Sequence, residues 1–240
     1  MGMPITVETV GVVKGQTIDS VFNYFKVIDE QFSTYKPGSE ISKINAGLPE
    51  TEWSESMRLV FDLCEQTKKQ SDGYFDIYHQ GKLDPSGLVK GWAVNNAAEI
   101  LDKKGVKNFY IEAGGDTQVS GMNADGKPWA IGIRNPFNID EIIKVVQLSS
   151  QGIATSGTYI RGQHIYNPHD QDSEINDVKS LSVIGENVYE ADRFATAAFA
   201  MGKDGINFIE KMPGLEGYMV DSEKVATFTS GFRRYVINNA

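Results

Sequence analysis

Asn108-Phe109-Tyr110-Ile111-Glu112-Ala113-Gly114-Gly115-Asp116-Thr117-Gln118-Val119-Ser120 reads as two short alternating runs joined by a Gly-Gly-Asp turn. Period-two alternation buries one face of each run, and a two-glycine turn suits a tight antiparallel hairpin. The same texture continues at 129–134, 144–148, 152–156, 159–166 and 180–184. Three final runs, 217–220, 225–228 and 232–237, read as a meander. Short alternating runs predict antiparallel pairing; a doubly wound parallel sheet would need near-continuous apolar strands.

N-terminal to this region the period changes. Residues 4–13 alternate as a strand, and Ile18, Val21, Phe22, Phe25, Ile28 and Phe32 then recur at helical spacing, with Thr17 or Asp19 as N-cap. Ser39-Glu40-Ile41-Ser42 reads as a capping stretch before a short helical turn ending near Asn45. Helices are predicted over 55–70, stopped by Ser71-Asp72-Gly73, and over 88–104, stopped by Gly105, with a loop over 80–87 between them. Two more follow at 191–201 and 206–211. The fold class is α+β, mainly antiparallel sheets flanked by helices, expected over 1–240 as one domain or two intimate lobes.

Composition narrows the function. The chain has 240 residues, of which 40% are hydrophobic, and a formal net charge of -9. That size can bury a core without cross-links, and the acidity argues against nucleic acid, whose phosphates need basic faces. Any phosphate must be held by local donors or by a metal. The single cysteine, Cys64, lies in an apolar helical pattern and reads as a buried bystander. No stretch is long and apolar enough for a membrane span, and the N-terminus lacks a signal peptide's pattern. As written the chain is expected in the cytoplasm; removal of an N-terminal export signal from the sequence would place it outside.

Four clusters combine glycine with acids or hydroxyls. Asp84-Pro85-Ser86-Gly87 precedes a helix whose first turn carries Lys90-Gly91, a place for an anion or simply a capped helix with a solvated lysine. Glu112-Ala113-Gly114-Gly115-Asp116 is a ligand loop or a plain hairpin turn. Gly152-Ile153-Ala154-Thr155-Ser156-Gly157 leads through Arg161 to His164-Ile165-Tyr166-Asn167-Pro168, where strand alternation would put His164 and Tyr166 on one face. In Glu190-Ala191-Asp192-Arg193-Phe194-Ala195-Thr196, Asp192 and Thr196 share a helix face. A carboxylate and a hydroxyl so placed suit Mg²⁺; equally, Asp192 could cap the helix over a buried Thr196. His79, His169 and Cys64 lack the spacing of a zinc site.

In this order the clusters resemble the ApbE family of flavin transferases. The likeness runs through Met1-Gly2-Met3-Pro4, residues 33–42, Gly73-Tyr74-Phe75-Asp76, residues 84–91, Gly114-Gly115-Asp116, Ala154-Thr155-Ser156-Gly157, residues 164–168 and residues 191–202. It implies Mg²⁺ held by Asp192, Thr196 and the carbonyl of Gly87. It implies FAD contacts from Met1, Tyr35, Tyr74, Phe75, Asp76, Asp84 and Lys90, with Gly114, Gly115, Asp116, Ser156 and Gly157 lining the site. His164, Ile165 and Tyr166 complete the set, His164 as catalytic base. Two places depart from the family pattern: the segment after Asp76 is short and passes directly to Asp84, and Asn95 stands where an acid often does.

The implied reaction moves FMN from FAD to a Ser or Thr hydroxyl of an acceptor flavoprotein bearing an Asp-x-x-(Ser/Thr)-Gly-Ala-(Ser/Thr) motif, releasing AMP. A hydroxyl is a weak nucleophile at neutral pH, so a base and an electrophilic metal are both expected. Two alternatives use the same residues: an FAD pyrophosphatase giving FMN and AMP, and a non-catalytic FAD-binding protein.

Overall fold

The computed structural model describes residues 2–158, 165–170 and 174–237. Strand β1 (Ile5–Thr9) is followed by helices α1 (Gly15–Phe32), α2 (Glu40–Asn45) and α3 (Glu55–Gln70), the small hairpin β2 (Tyr78–His79) and β3 (Lys82–Leu83), and α4 (Ser86–Lys103). Next come strands β4 (Phe109–Ala113), β5 (Asp116–Ser120), β6 (Trp129–Asn135), β7 (Asn138–Leu148), β8 (Gly152–Gly157) and β9 (Val178–Gly185). Helices α5 (Val188–Ala200) and α6 (Gly205–Lys211) and strands β10 (Glu216–Asp221) and β11 (Ala226–Phe228) close the order.

Seven strands form one sheet in the order β1-β4-β5-β8-β9-β10-β11, antiparallel at every pairing. The expected α+β, mainly antiparallel class is what the molecule has. Its β4–β5 hairpin pairs Ala113 with Asp116, and Gly114 and Gly115 turn the chain at φ 58° and 96°, values that L side chains disfavour.

The strand faces carry different layers. Leu181 and Val183 of β9 pack under Phe194, Ala198 and Phe199 of α5. Ile184 joins Trp129, Ile131 and Val146 of the β6–β7 hairpin, which covers the sheet's other face. A further cluster joins α1, α3 and α4 through Val21, Phe25, Val60, Leu88 and Leu101.

Helix starts follow side-chain capping. Ser39 accepts from the Ser42 N–H, Ser54 from Met57 and Asn187 from Glu190, so each relieves an orphan donor. Three expectations are corrected. Helix α1 starts at Gly15, ahead of Thr17 and Asp19, because the extended Lys14 supplies its carbonyl to the Thr17 N–H without any side-chain cap. Residues 80–87 are not all loop, since β2 and β3 turn at Gln80-Gly81, both at positive φ. The third meander run is a 3-10 turn, Phe232–Tyr235, because the buried Phe232 ring folds onto Tyr218 and Phe228; only Val236 bridges to Val146. The expected strand over 159–166 lies largely outside the described residues; Ile165 and Tyr166 are in no regular element.

Candidate active site

Helix α5 is set on the sheet by a buried glutamine. The Gln118 Oε1 accepts from the Val188 N–H at 2.8 Å, while its amide donates to the Val119 carbonyl at 3.0 Å. Asn187 caps the same turn, so Asp192 is freed from the capping role that the sequence left open. Asp192 sits one turn inside α5 and Thr196 one turn further, both lining a cleft between α4, α5 and β8.

Helix α4 meets α5 at Gly91. Its N–H donates to Asp192 Oδ2 at 2.7 Å, and a Cβ there would lie 2.5 Å from the Asp192 Cβ and 2.7 Å from the Val188 carbonyl oxygen. One residue earlier, Lys90 Nζ stands 2.8 Å from Asp116 Oδ2 and 3.8 Å from Asp192 Oδ1. Asp116, the first residue after the hairpin turn, is wholly buried and accepts from the Thr155 N–H at 3.3 Å. Burial first, and then the Asp192 charge, push its carboxyl well above the usual range, against the pull of Lys90. Two buried carboxylates thus converge on one ammonium.

Such a surplus of oxygen donors favours a cation. Thr196 Oγ1 donates to the Gly87 carbonyl at 3.1 Å, which places a hydroxyl and a carbonyl oxygen beside the Asp192 carboxylate in one cleft. A hydroxyl, a carbonyl and a carboxylate are hard oxygen donors of the kind that hold Mg²⁺ while leaving positions for phosphate or water. Among the described residues, no three His, Cys, Asp or Glu side chains gather as a ligand set.

The rest of the cleft is aromatic and apolar. Tyr74, Phe75, Ile165, Tyr166 and Pro168 line it. The Tyr166 hydroxyl donates to the Asp76 carbonyl at 2.7 Å, and its ring lies against His79 at a centroid distance of 3.7 Å and 20°. Burial, then the nearby Asp76 and Asp84 charges, raise its phenol far above the ordinary value, so it stays a neutral donor. Tyr74 meets the His169 ring edge-on at 4.5 Å, with His169 Nε2 2.9 Å from the Asp72 carbonyl. Asp76 binds Lys68 at 2.7 Å, and Asp84 accepts from the Ser86 N–H at 3.0 Å.

Of the residues the sequence singled out, Asp76, Asp84, Gly87 and Lys90 line the cleft. So do Gly114, Ser156 and Gly157, with the aromatic residues and α5 pair above. Asp116 lies behind Lys90, and Gly115 is engaged in the hairpin, its N–H donating to Glu112 at 2.6 Å. Tyr35 is 94% exposed on the turn after α1 and does not line the cleft. Met1, Arg161 and His164 lie outside the described residues. Sequence reading missed His79, Gln118 and Pro168. Gln118 carries no local signal, being one polar residue in a strand; Pro168 stood at the end of a quoted motif.

A model of the ApbE family matches residues 1–81 and 77–219. A relative from Vibrio cholerae, named FAD:protein FMN transferase, is 29% identical over 163 residues, covering 64% of this chain and 47% of its own length. A Haemophilus influenzae relative of the same name is 28% identical over 195 residues, covering 76% and 55%. The chain therefore spans about half the length of the curated relatives it matches. Among solved structures, the ApbE protein of Thermotoga maritima superposes with a TM-score of 0.85 at 23% identity, over 98% of this chain and 96% of that one. The flavin transferase ApbE from Vibrio cholerae gives 0.84 at 21%, over 98% and 96%. At these identities the likeness shows the fold.

Proposed function

We propose, from the premise that the chain belongs to the ApbE family, that it transfers the FMN part of FAD to a Ser or Thr hydroxyl of an acceptor protein, with Mg²⁺ and release of AMP. The observation that carries this reading is one cleft holding two chemistries: Lys90 and the oxygens of Asp192, Thr196 and Gly87, with the aromatic surfaces of Tyr74, Phe75 and Tyr166. A diphosphate calls for the first set and a flat heterocycle for the second.

Asp192, Thr196 and the Gly87 carbonyl are the residues that would hold Mg²⁺, which when bound supplies positive charge to phosphate oxygens. The Lys90 ammonium adds a second positive charge where negative charge grows on the phosphate. Asp116 holds that ammonium in place through its 2.8 Å contact with Lys90 Nζ. His164 takes the acceptor hydroxyl's proton. The hydroxyl oxygen bonds to the FMN-side phosphorus as the bond to the bridging oxygen breaks, and AMP leaves with that electron pair. The net charge of -9 fits this reading, because local cations hold the diphosphate while the remaining surface repels other anions.

The acceptor would carry the Asp-x-x-(Ser/Thr)-Gly-Ala-(Ser/Thr) motif. The test is incubation of the full chain with FAD, Mg²⁺ and a small acceptor domain bearing that motif, followed by intact-mass analysis and nucleotide chromatography. A mass gain equal to FMN, with free AMP, is expected. Free FMN and AMP with an unmodified acceptor would make the protein a pyrophosphatase, and intact FAD would leave a binding protein.

A further inference from the structure

His79 sits on the short β2–β3 hairpin after Asp76, and that hairpin is tied down from three sides. The Asn45 side chain of α2 brackets Leu83, accepting from its N–H at 2.8 Å and donating to its carbonyl at 2.9 Å. The Asp84 N–H donates to the Ile77 carbonyl at 2.7 Å, and the Tyr78 N–H to Asp76 Oδ1 at 2.9 Å. A fixed hairpin can hold a side chain in place across the cleft wall.

What it holds there is the Tyr166 ring. With the hydroxyl tied to the Asp76 carbonyl and one face covered by the imidazole, the ring has lost both its tilt and its in-plane freedom. The His79 Nδ1 is buried with no hydrogen-bond partner, which is unfavourable for a polar atom, so at that atom the ring contributes packing against Tyr166 and no hydrogen bond.

We propose that His79 is a positioning residue for the flat ring of the substrate: stacked on Tyr166, it sets the tilt of the aromatic surface offered to the cleft, and so governs affinity for the isoalloxazine of FAD and not the rate of transfer. This rests on the flavin reading above. Orientation of an aromatic pair is worth about tenfold in affinity, so His79→Ala should raise both the FAD dissociation constant and the KM for FAD by that factor. The same variant should leave kcat within about twofold, as expected when binding common to ground and transition states is lost.

The experiment is a titration of FAD fluorescence with Mg²⁺ present, with steady-state transfer kinetics, on wild type, His79→Ala, His79→Phe, Tyr166→Ala and the His79→Ala/Tyr166→Ala pair. His79→Phe keeps a stacking ring without the orphan nitrogen and should return affinity to near wild type, which a general folding defect would not do. In the Tyr166→Ala background, His79→Ala should add little. Unchanged affinity in His79→Ala, a fall in kcat with unchanged KM, failure of Phe to restore, or a full loss persisting without Tyr166 would each overturn the proposal. A wild-type protein that does not bind FAD would instead refute the flavin reading, and the role of His79 with it.

Discussion

Replacing Gly91 by Ala sets two physical rules against each other. In a helix interior alanine is favoured over glycine by about 1 kcal/mol, so propensity alone predicts a more stable protein. The packing predicts the opposite. The new Cβ would stand 2.5 Å from the Asp192 Cβ and 2.7 Å from the Val188 carbonyl oxygen, the latter a backbone atom that cannot swing aside. Carbon atoms need roughly 3.5 Å or more, so α4 and α5 must separate by about 1 Å. Overpacking of this kind costs about 1–3 kcal/mol, and the Gly91 N–H bond to Asp192, a charge-assisted bond worth about 1.5–3 kcal/mol, is stretched with it. The net expectation is a loss of about 2 kcal/mol, and with about 2–4 °C per kcal/mol at this size the Tm falls by about 4–8 °C. Displacing Asp192 by about 1 Å should also cut the proposed FMN transfer by about a hundredfold. Urea denaturation and FMN transfer at saturating Mg²⁺ read the two effects. A Gly91→Ala protein as stable and active as wild type would refute the close-approach reasoning.

Other outcomes follow from the same geometry. Asp192→Ala should abolish the proposed Mg²⁺-dependent turnover, and unchanged activity across a Mg²⁺ titration would remove Asp192 from the proposed metal site. Arg193 forms a buried strut, with Glu190 at 2.7 Å, Gln70 at 2.5 Å and the Phe194 ring at 4.1 Å. Arg193→Ala should therefore lower stability by about 1–3 kcal/mol in denaturant titrations, since it removes the cation from half-buried Glu190 and a donor from the buried Thr67 hydroxyl. Lys90→Met leaves Asp116 buried without its ammonium, and about 3–5 kcal/mol of lost stability is expected from the same measurement. Burial pushes the Glu40 carboxyl up, but the Ser54 N–H, the Gln31 amide and the Ser54 hydroxyl outweigh it and hold it below the usual range. Its stabilising effect is then complete at neutral pH and is lost as pH falls through the folded value. Glu40→Gln should flatten the fall of the urea midpoint below about pH 5, and an unchanged slope would contradict it.

Local structure was legible because it is written in spacing. Helix α3 spans the predicted 55–70 and ends at Ser71-Asp72-Gly73, and the Gly114-Gly115 turn joins the two alternating runs around it. Those signals need only neighbouring residues, as capping, period and turn chemistry are interactions of short range along the chain. One expectation failed where a distant contact overrode local pattern, when Phe232 left its extended run to pack on Tyr218.

By itself the sequence determined the antiparallel α+β class, the span of α3, the Gly114-Gly115 hairpin turn, and the family to which Asp84, Gly114-Gly115-Asp116, Asp192 and Thr196 belong. Only the tertiary structure decided that Lys90 pairs with Asp116 on another element, that Asp192 is released from capping by Asn187, that Tyr35 stands outside the cleft, and that His79 covers Tyr166. The reason is that side chains distant in the chain meet according to how closely helices and strands can approach. That approach is set by atoms such as the missing Cβ of Gly91, whose partner across the interface no local pattern names.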